Sequence, residues 1–348
     1  MKSFQGKRFN HLSLPTGSAW LMTEIARSQG RQDLYAKQAP QVLEALREMA
    51  LIQSAESSNR IEGITVEASR LEPLVLGDSR PRDRSEEEVQ NYRKALNLIH
   101  ANHAKLAVSS DLIKKLHGII LEGAGHAGRW KQKEVDIIET LPGQAPFIRL
   151  RTVSAKDTPK AIEELCLLYH HALNQENVPP LLAAAAFILD FLCIHPFVDG
   201  NGRLSRLLTH LMLYHQDIGA GRYVSIERLI EESGQEYYEA LKQSSKEWHS
   251  GKHDLIPWLN YFLTIIRRAY REFEQRAEKI ATKKGAKTGL LLEAIDSFHG
   301  EFTVRELQRA APGASIDLIR RVLHNERRAG HLTCSGRGPG AKWKTAHK

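Results

Sequence analysis

Twelve consecutive residues, His195-Pro196-Phe197-Val198-Asp199-Gly200-Asn201-Gly202-Arg203-Leu204-Ser205-Arg206, carry most of the chemistry in this 348-residue chain. The Gly-Asn-Gly turn precedes a segment with Leu204, Leu207, Leu208 and Leu211 at helical spacing. Its free backbone N–H groups are therefore expected at a helix N-terminus, an anion site suited to phosphate. Arg203 and Arg206 are three residues apart, about one turn, and are expected to lean toward the same anion. Asp199 puts a carboxylate beside that phosphate site, which makes sense when a hard cation such as Mg²⁺ bridges the two. His195 is the group of the stretch able to take a proton near neutral pH. Together these residues imply a metal-bound nucleotide with a general base beside it, hence transfer from a nucleotide to a hydroxyl. Each has an ordinary explanation alone: a histidine at a helix end is usually a cap, Asp-Gly a turn, an arginine solvated. Their occurrence in this order is not ordinary. The stretch is neither GxxxxGK[ST] nor GxGxxG, which excludes the common P-loop and Rossmann readings.

The elements that must position these residues are mostly helical, because apolar residues recur at three- and four-residue spacing and β-branched alternation is scarce. The apolar run LLAAAAFILDFLCI ahead of His195 is too short to span a bilayer and contains Asp190, so it reads as a core helix ended by Pro196. QAPQVLEALREMALIQSAESSNRIEG reads as a helix followed by a second, shorter one, and EEEVQNYRKALNLIHANHA and SSDLIKKLHGIILEG as two more. VDIIETLPGQAPFIRLR has two short extended runs around a Leu-Pro-Gly-Gln turn and predicts a hairpin. The fold class expected is all-α with one β-hairpin.

Net charge is +8, and residues 279–348 alone hold 14 Lys and Arg against 6 Asp and Glu, an excess equal to that of the whole chain. That segment is the candidate for an anionic partner such as nucleic acid. Its order of helix, polar-capped helix TVRELQRAA, Pro-Gly turn, second capped helix and glycine-tipped hairpin is the layout of a winged helix-turn-helix. Arg320, Arg321, Arg327 and Arg328 give the second helix basic surface, with Arg337 and Lys342 in the wing. DNA contact and protein docking both fit this layout. Cys166, Cys193 and Cys334 are too scattered for a disulfide frame or a zinc site, and the N-terminus lacks an apolar secretory core. The expectation is a soluble cytoplasmic protein with no membrane partner.

The stretch 195–206 resembles the HxFx[DE]GNGRxxR signature of the Fic domain family, matching every fixed position. The resemblance implies a protein adenylyltransferase that moves AMP from ATP, with Mg²⁺, to Ser, Thr or Tyr hydroxyls of a target protein or of itself. It implies His195 as the base, Phe197 as the anchor of the loop and Asp199 as the Mg²⁺ ligand. Gly200, Asn201 and Gly202 would hold the α- and β-phosphates, and Arg203 and Arg206 the outer ones. Ser57-Ser58-Asn59-Arg60-Ile61-Glu62-Gly63 resembles the family's [ST]xxxE[GN] inhibitory motif through Ser58, Glu62 and Gly63, which makes Glu62 the partner of Arg206 and a competitor of the γ-phosphate. The hairpin lies where the family places its target-clamping flap. Gly-Arg-Trp-Lys at 128–131 departs from the family's commoner Gly-x-Phe-Arg before that flap. Tyr238 faces the adenine by family position, although a tyrosine in an amphipathic helix is more often core; His117 is taken as structural.

The chain is thereby divided into an N-terminal helical region with the inhibitory helix (1–100), a catalytic core (101–275), a basic linker (276–288) and the winged-helix-like unit (289–348). Two other functions fit the same residues: a nucleotide-sensing, DNA-binding regulator, and an enzyme that removes AMP with Glu62 positioning water. A homodimer also fits, because partner chains can take part in inhibition and activation within the family.

Overall fold

The computed structural model describes all residues except 39, 78, 140–144, 282–285, 299, 312–313, 337 and 347–348. The Leu-Pro-Gly-Gln turn, the Pro-Gly turn, the centre of the expected linker and Arg337 thus lie outside the described residues. The helices are α1 (Thr16–Gln38), α2 (Pro40–Ile61), α3 (Ala68–Leu76), α4 (Arg84–Asn102), α5 (Ser110–Ile120), α6 (Thr158–Asn174) and α7 (Pro180–Ile194). They continue with α8 (Asn201–Tyr214), α9 (Ile226–Glu232), α10 (Gly234–Ser245), α11 (Ile256–Ala281), α12 (Ala286–Ser297), α13 (Val304–Ala310) and α14 (Ile316–Arg328). The strands are β1 (Ile137–Glu139), β2 (Phe147–Leu150), β3 (Phe302–Thr303), β4 (Leu332–Ser335) and β5 (Lys342–Thr345). The body is therefore all-α with a hairpin, β1 pairing antiparallel with β2 in the register Ile138↔Ile148 and Glu139↔Phe147.

α7 is the central element. From Leu181 to Ile194 every residue except Leu192 is buried, as a helix apolar on all sides must be. Its one charged residue, Asp190, accepts hydrogen bonds from Ser3 N (3.1 Å), Ser3 Oγ (2.6 Å) and Trp248 Nε1 (2.5 Å), so the buried carboxyl is satisfied. Burial still pushes its pKa above the ordinary value against the pull of those donors. α8 packs on α7, and within α8 every residue but Gly202 is buried. No helix among the described residues is long and apolar enough to cross a membrane.

Three boundaries differ from the sequence expectation. α2 is one helix of 22 residues, not two. Its serine-rich end stays helical in part because Ser54 Oγ donates away from the helix to Ser225 Oγ (3.0 Å), while Asn59 Nδ2 folds back on Ala55 O of the same helix (2.7 Å). α11 runs to Ala281 and α12 begins at Ala286, so most of 276–288 is helical, and Arg276 braces the end of α11 through Glu272 one turn back (2.5 Å). Finally, one cluster of buried residues runs from Met1 to Phe273, so the segments 1–100 and 101–275 share a single core.

A second cluster, Leu291 to Leu332, belongs to the C-terminal segment. There α12, α13 and α14 accompany an antiparallel sheet of order β3-β5-β4. Thr303 and Glu306 form a capping box at α13, and Ser315 caps α14.

Candidate active site

α7 ends at His195, whose backbone is left-handed (φ 51°, ψ 64°) and whose N–H still bonds Phe191 O (2.9 Å). Pro196 prevents continuation. The loop then turns back and is closed by Asn201, whose Oδ1 accepts from Phe197 N (3.1 Å) and whose Nδ2 donates to Phe197 O (2.9 Å). The Phe197 ring is fully buried and stacks on His117 at 3.6 Å with an interplanar angle of 5°. His117 Nδ1 accepts from Gly128 N (2.9 Å), which leaves Nε2–H to donate to Asp199 O (3.1 Å). His117 is a neutral brace beneath the loop, and burial holds its pKa down to about 4. Gly200, at φ 78°, starts α8 and lies against Ile120, Leu121 and His117, where a larger residue would be both strained and crowded.

The loop opens on a cavity of 160 Å³ lined by His195, Gly202 and Arg206, by Leu189, Leu192 and Cys193 of α7, by Tyr237, Tyr238 and Leu241 of α10, by Ile137 and Arg149 of the hairpin, and by Glu62. Burial, then the nearby Lys131 cation, hold the His195 imidazole at about 4, so it is neutral at physiological pH. Its Nδ1 has no hydrogen-bond partner among the described residues. Tyr238 is 55% exposed at the cavity mouth, whereas the core tyrosine is its neighbour Tyr237.

Glu62 follows the last turn of α2. Gly63, at φ 80°, lets the chain leave the helix, with Gly63 N bonded to Arg60 O (2.9 Å) and Ile64 N to Asn59 O (3.0 Å). Arg206, 3% exposed, donates through Nε to Ser58 Oγ, through Nη2 to Ser58 O and through Nη2 to Glu62 Oε1, each at 2.8 Å. Burial alone would lower the Arg206 pKa, but Glu62 together with Tyr237 and Tyr92 outweighs it and holds the guanidinium above its ordinary value. The Glu62 carboxylate lies over Gly202, so close that a Cβ on Gly202 would collide with Oε1. It therefore occupies the N-terminal end of α8, where the helix dipole favours an anion.

Arg203 and the Gly-Asn-Gly turn have protein partners of their own in this structure. Arg203 does not line the cavity: its guanidinium is 1% exposed, pairs with Glu88 of α4, bonds Asn59 Oδ1 (3.4 Å) and reaches Asp199 Oδ2 (3.2 Å). The three-residue spacing puts both arginines on one side of α8, but Glu88 draws this one to α4. Of the Gly-Asn-Gly triplet Gly202 lines the cavity, while the Asn201 side-chain amide is bonded to Phe197 and the Gly200 N–H to Asp199 Oδ1 (2.5 Å). Asp199 remains 47% exposed. Sequence reasoning missed Asn59, Glu88, Lys131 and Arg149; of these only Lys131 left a trace, as the departure at Gly-Arg-Trp-Lys.

Residues 107–213 match the Fic/DOC family. A Fido domain-containing protein of Dictyostelium discoideum is 29% identical over 99 residues, 27% of this chain, and the match spans 65% of that relative's length. Among solved structures, a Fic family protein from Desulfovibrio desulfuricans aligns over 97% of this chain and 98% of its own at 22% identity, with a TM-score of 0.63. A Fic domain containing signaling protein from Bacteroides thetaiotaomicron aligns over 74% of this chain and 97% of its own at 20% identity, with a TM-score of 0.59. At such identities the structural likeness speaks for the fold, and the family match, which includes the His195 loop, makes residues 107–213 of this chain a Fic/DOC family domain.

Proposed function

We propose that the protein is an adenylyltransferase held in check by Glu62. The observation that carries this reading is the Arg206 guanidinium bound by Ser58 and Glu62 at the wall of a cavity that also holds a neutral His195. In the transfer, His195 takes the proton of a target Ser, Thr or Tyr hydroxyl, the oxygen bonds the α-phosphorus of ATP, and pyrophosphate leaves. Leu189, Leu192, Leu241 and Tyr238 offer an apolar and aromatic slot suited to a base. Arg206, released from Glu62, suits the outer phosphates as a bidentate donor.

Among the described residues no three His, Cys, Asp or Glu side chains gather as a metal site. The single half-exposed Asp199 carboxylate suits Mg²⁺ shared with substrate phosphates, where the ion supplies charge neutralisation. With Glu62 in place the 160 Å³ cavity is smaller than the ~300 Å³ at the low end of ligand pockets, in keeping with a restrained state.

The test is incubation with Mg²⁺ and α-³²P-ATP of wild type, Glu62→Gly, and Glu62→Gly with His195→Ala. Label on protein should rise with the first substitution and vanish with the second. Absence of label in all three, with ATP bound, overturns the transferase reading. Glu62 in the cavity also favours a reverse activity in which its carboxylate orients water; hydrolysis of an AMP-protein by wild type but not Glu62→Gly is the sign of it. For the C-terminal segment, the exposed Arg320, Arg321, Arg327 and Arg328 on and beside one face of α14 support DNA as the partner. The three free cysteines agree with a cytoplasmic setting.

A further inference from the structure

We propose that Lys131 is the positioning residue of His195: it holds the left-handed end of α7 by bonding the carbonyls on both sides of the histidine and ties that end to the foot of the hairpin through Thr152. Lys131 Nζ donates to Ile194 O (3.1 Å), the carbonyl before His195. Lys131 N donates to Pro196 O (2.9 Å), the carbonyl after it. A non-glycine residue in the left-handed region persists where its surroundings over-determine it. Of the hydrogen bonds that span His195, one is its own N–H to Phe191 O and two are made by Lys131.

Lys131 is 2% exposed, and Glu134 and Asp136 lie near enough to stabilise the ammonium without forming a direct ion pair with it among the described residues. A buried cation without a direct ion pair is a poor structural choice, since an apolar side chain of the same volume avoids the desolvation. Its cost shows in a pKa lowered by burial to about 8, still protonated at neutral pH. The third contact explains what the charge and length achieve. Nζ donates to Thr152 Oγ1 (2.6 Å), and that hydroxyl donates to Val135 O (2.6 Å), while Thr152 N donates to Asp136 Oδ1 (3.1 Å). Val135 and Asp136 lead into β1, and Thr152 follows β2, so Lys131 joins both legs of the hairpin to the backbone of His195. A target lying on the hairpin is thus registered to the base.

This inference rests on His195 as the base of the proposed transfer, but its test does not need the transfer to occur. The imidazole is faced by Lys131, by Glu62 beyond α2, by Arg149 of β2 and Arg206 of α8, and by Tyr237 and Tyr238 of α10. Of these, Lys131 is the cation with the largest influence on it. In the full chain carrying Glu62→Gly, the titration of His195 is followed by ¹⁵N-histidine NMR in Lys131→Met, Lys131→Arg and Thr152→Val, alongside adenylylation rates. Lys131→Met should raise the His195 pKa by about one unit. It should also lower kcat by about 10- to 100-fold, with KM for ATP within about twofold. Lys131→Arg should restore both. Thr152→Val, which keeps the ammonium, should lower kcat and leave the titration in place, and it carries the test if Lys131→Met does not fold. An unmoved titration in Lys131→Met, equal loss in Lys131→Arg, or an unchanged kcat in Thr152→Val overturns the assignment. If no variant adenylylates, the titration still decides the role of Lys131, and the failure falls on the transfer alone.

Discussion

Glu62→Gly removes one of the three hydrogen bonds that hold Arg206, the one made to a charge. Such a bond is worth about 1.5–3 kcal/mol. Because the Glu62 side chain is 29% exposed, solvent screening places it in the lower half of that range, at roughly 2 kcal/mol. If ATP must break this pair to bind productively, its removal raises the adenylylation rate at subsaturating ATP by about 30-fold, at about 1.4 kcal/mol per decade. The same substitution leaves a buried guanidinium on Ser58 alone and lowers stability, which for a core of this size is a fall of about 2–4 °C in Tm per kcal/mol. Gain of activity with loss of stability is the expected pair of results. Glu62→Gln keeps a neutral hydrogen bond worth about 1 kcal/mol and should give an intermediate rise of about fivefold. Initial rates of label incorporation and thermal melts measure both quantities. A rise below about threefold accompanied by a lower Tm refutes the reasoning, because the pair is then structural and does not compete with nucleotide.

Gly202→Ala should be more destabilising in wild type than in Glu62→Gly, because the new methyl collides with Glu62 Oε1 only when that carboxylate is present; a double-mutant cycle of thermal melts checks the coupling. His117→Leu leaves Gly128 N–H and Asp199 O without their partner and should cost about 1–3 kcal/mol for each buried group left unpaired, read by denaturant unfolding. Since His195 and His117 are held at about 4 in the folded protein against 6.5 unfolded, the unfolded chain binds protons the folded one refuses. Tm should therefore fall as pH drops from 6.5 toward 4, and the rate of Glu62→Gly should stay level through pH 6–7, below the titration of Lys131 near 8, an acid limb at 6.5 being the contrary result. Arg320→Glu with Arg321→Glu should weaken duplex DNA binding and reduce its salt slope by about one per lost phosphate contact, as read by anisotropy.

The local parts of the site were legible because their causes are local. Pro196 ends α7, the glycines start α8, and residues three apart share a helix face. What the sequence could not show is which element arrives at that face. Arg203 and Arg206 look equivalent in sequence, yet Glu88 from α4 takes the first and Ser58 with Glu62 from α2 the second. That the Asn201 side-chain amide braces the loop at both the N–H and the C=O of Phe197 has no sign in the sequence either. The serine-rich end of α2 reads as a break because the partner that satisfies Ser54 lies at Ser225.

The unequal fates of the two arginines explain how one loop can be permanent in shape and conditional in chemistry. Arg203 is held from two sides, by Glu88 in the body of α4 and by Asp199 of the loop itself, with Asn59 as a third contact. Freeing it would move a helix packed in the core and release Asp199 at once. Among the described residues Arg206 is hydrogen-bonded at its guanidinium by Ser58, in the last turn of α2, and by Glu62, just after it. Helix ends open at far lower cost than helix bodies. A shift confined to the residues around Gly63 would thus withdraw the carboxylate from above Gly202 and free Arg206, while Arg203, Phe197 and His117 kept the loop in place. In the proposed function, restraint and catalytic geometry fall to different contacts of neighbouring arginines, so the first can be lifted without disturbing the second.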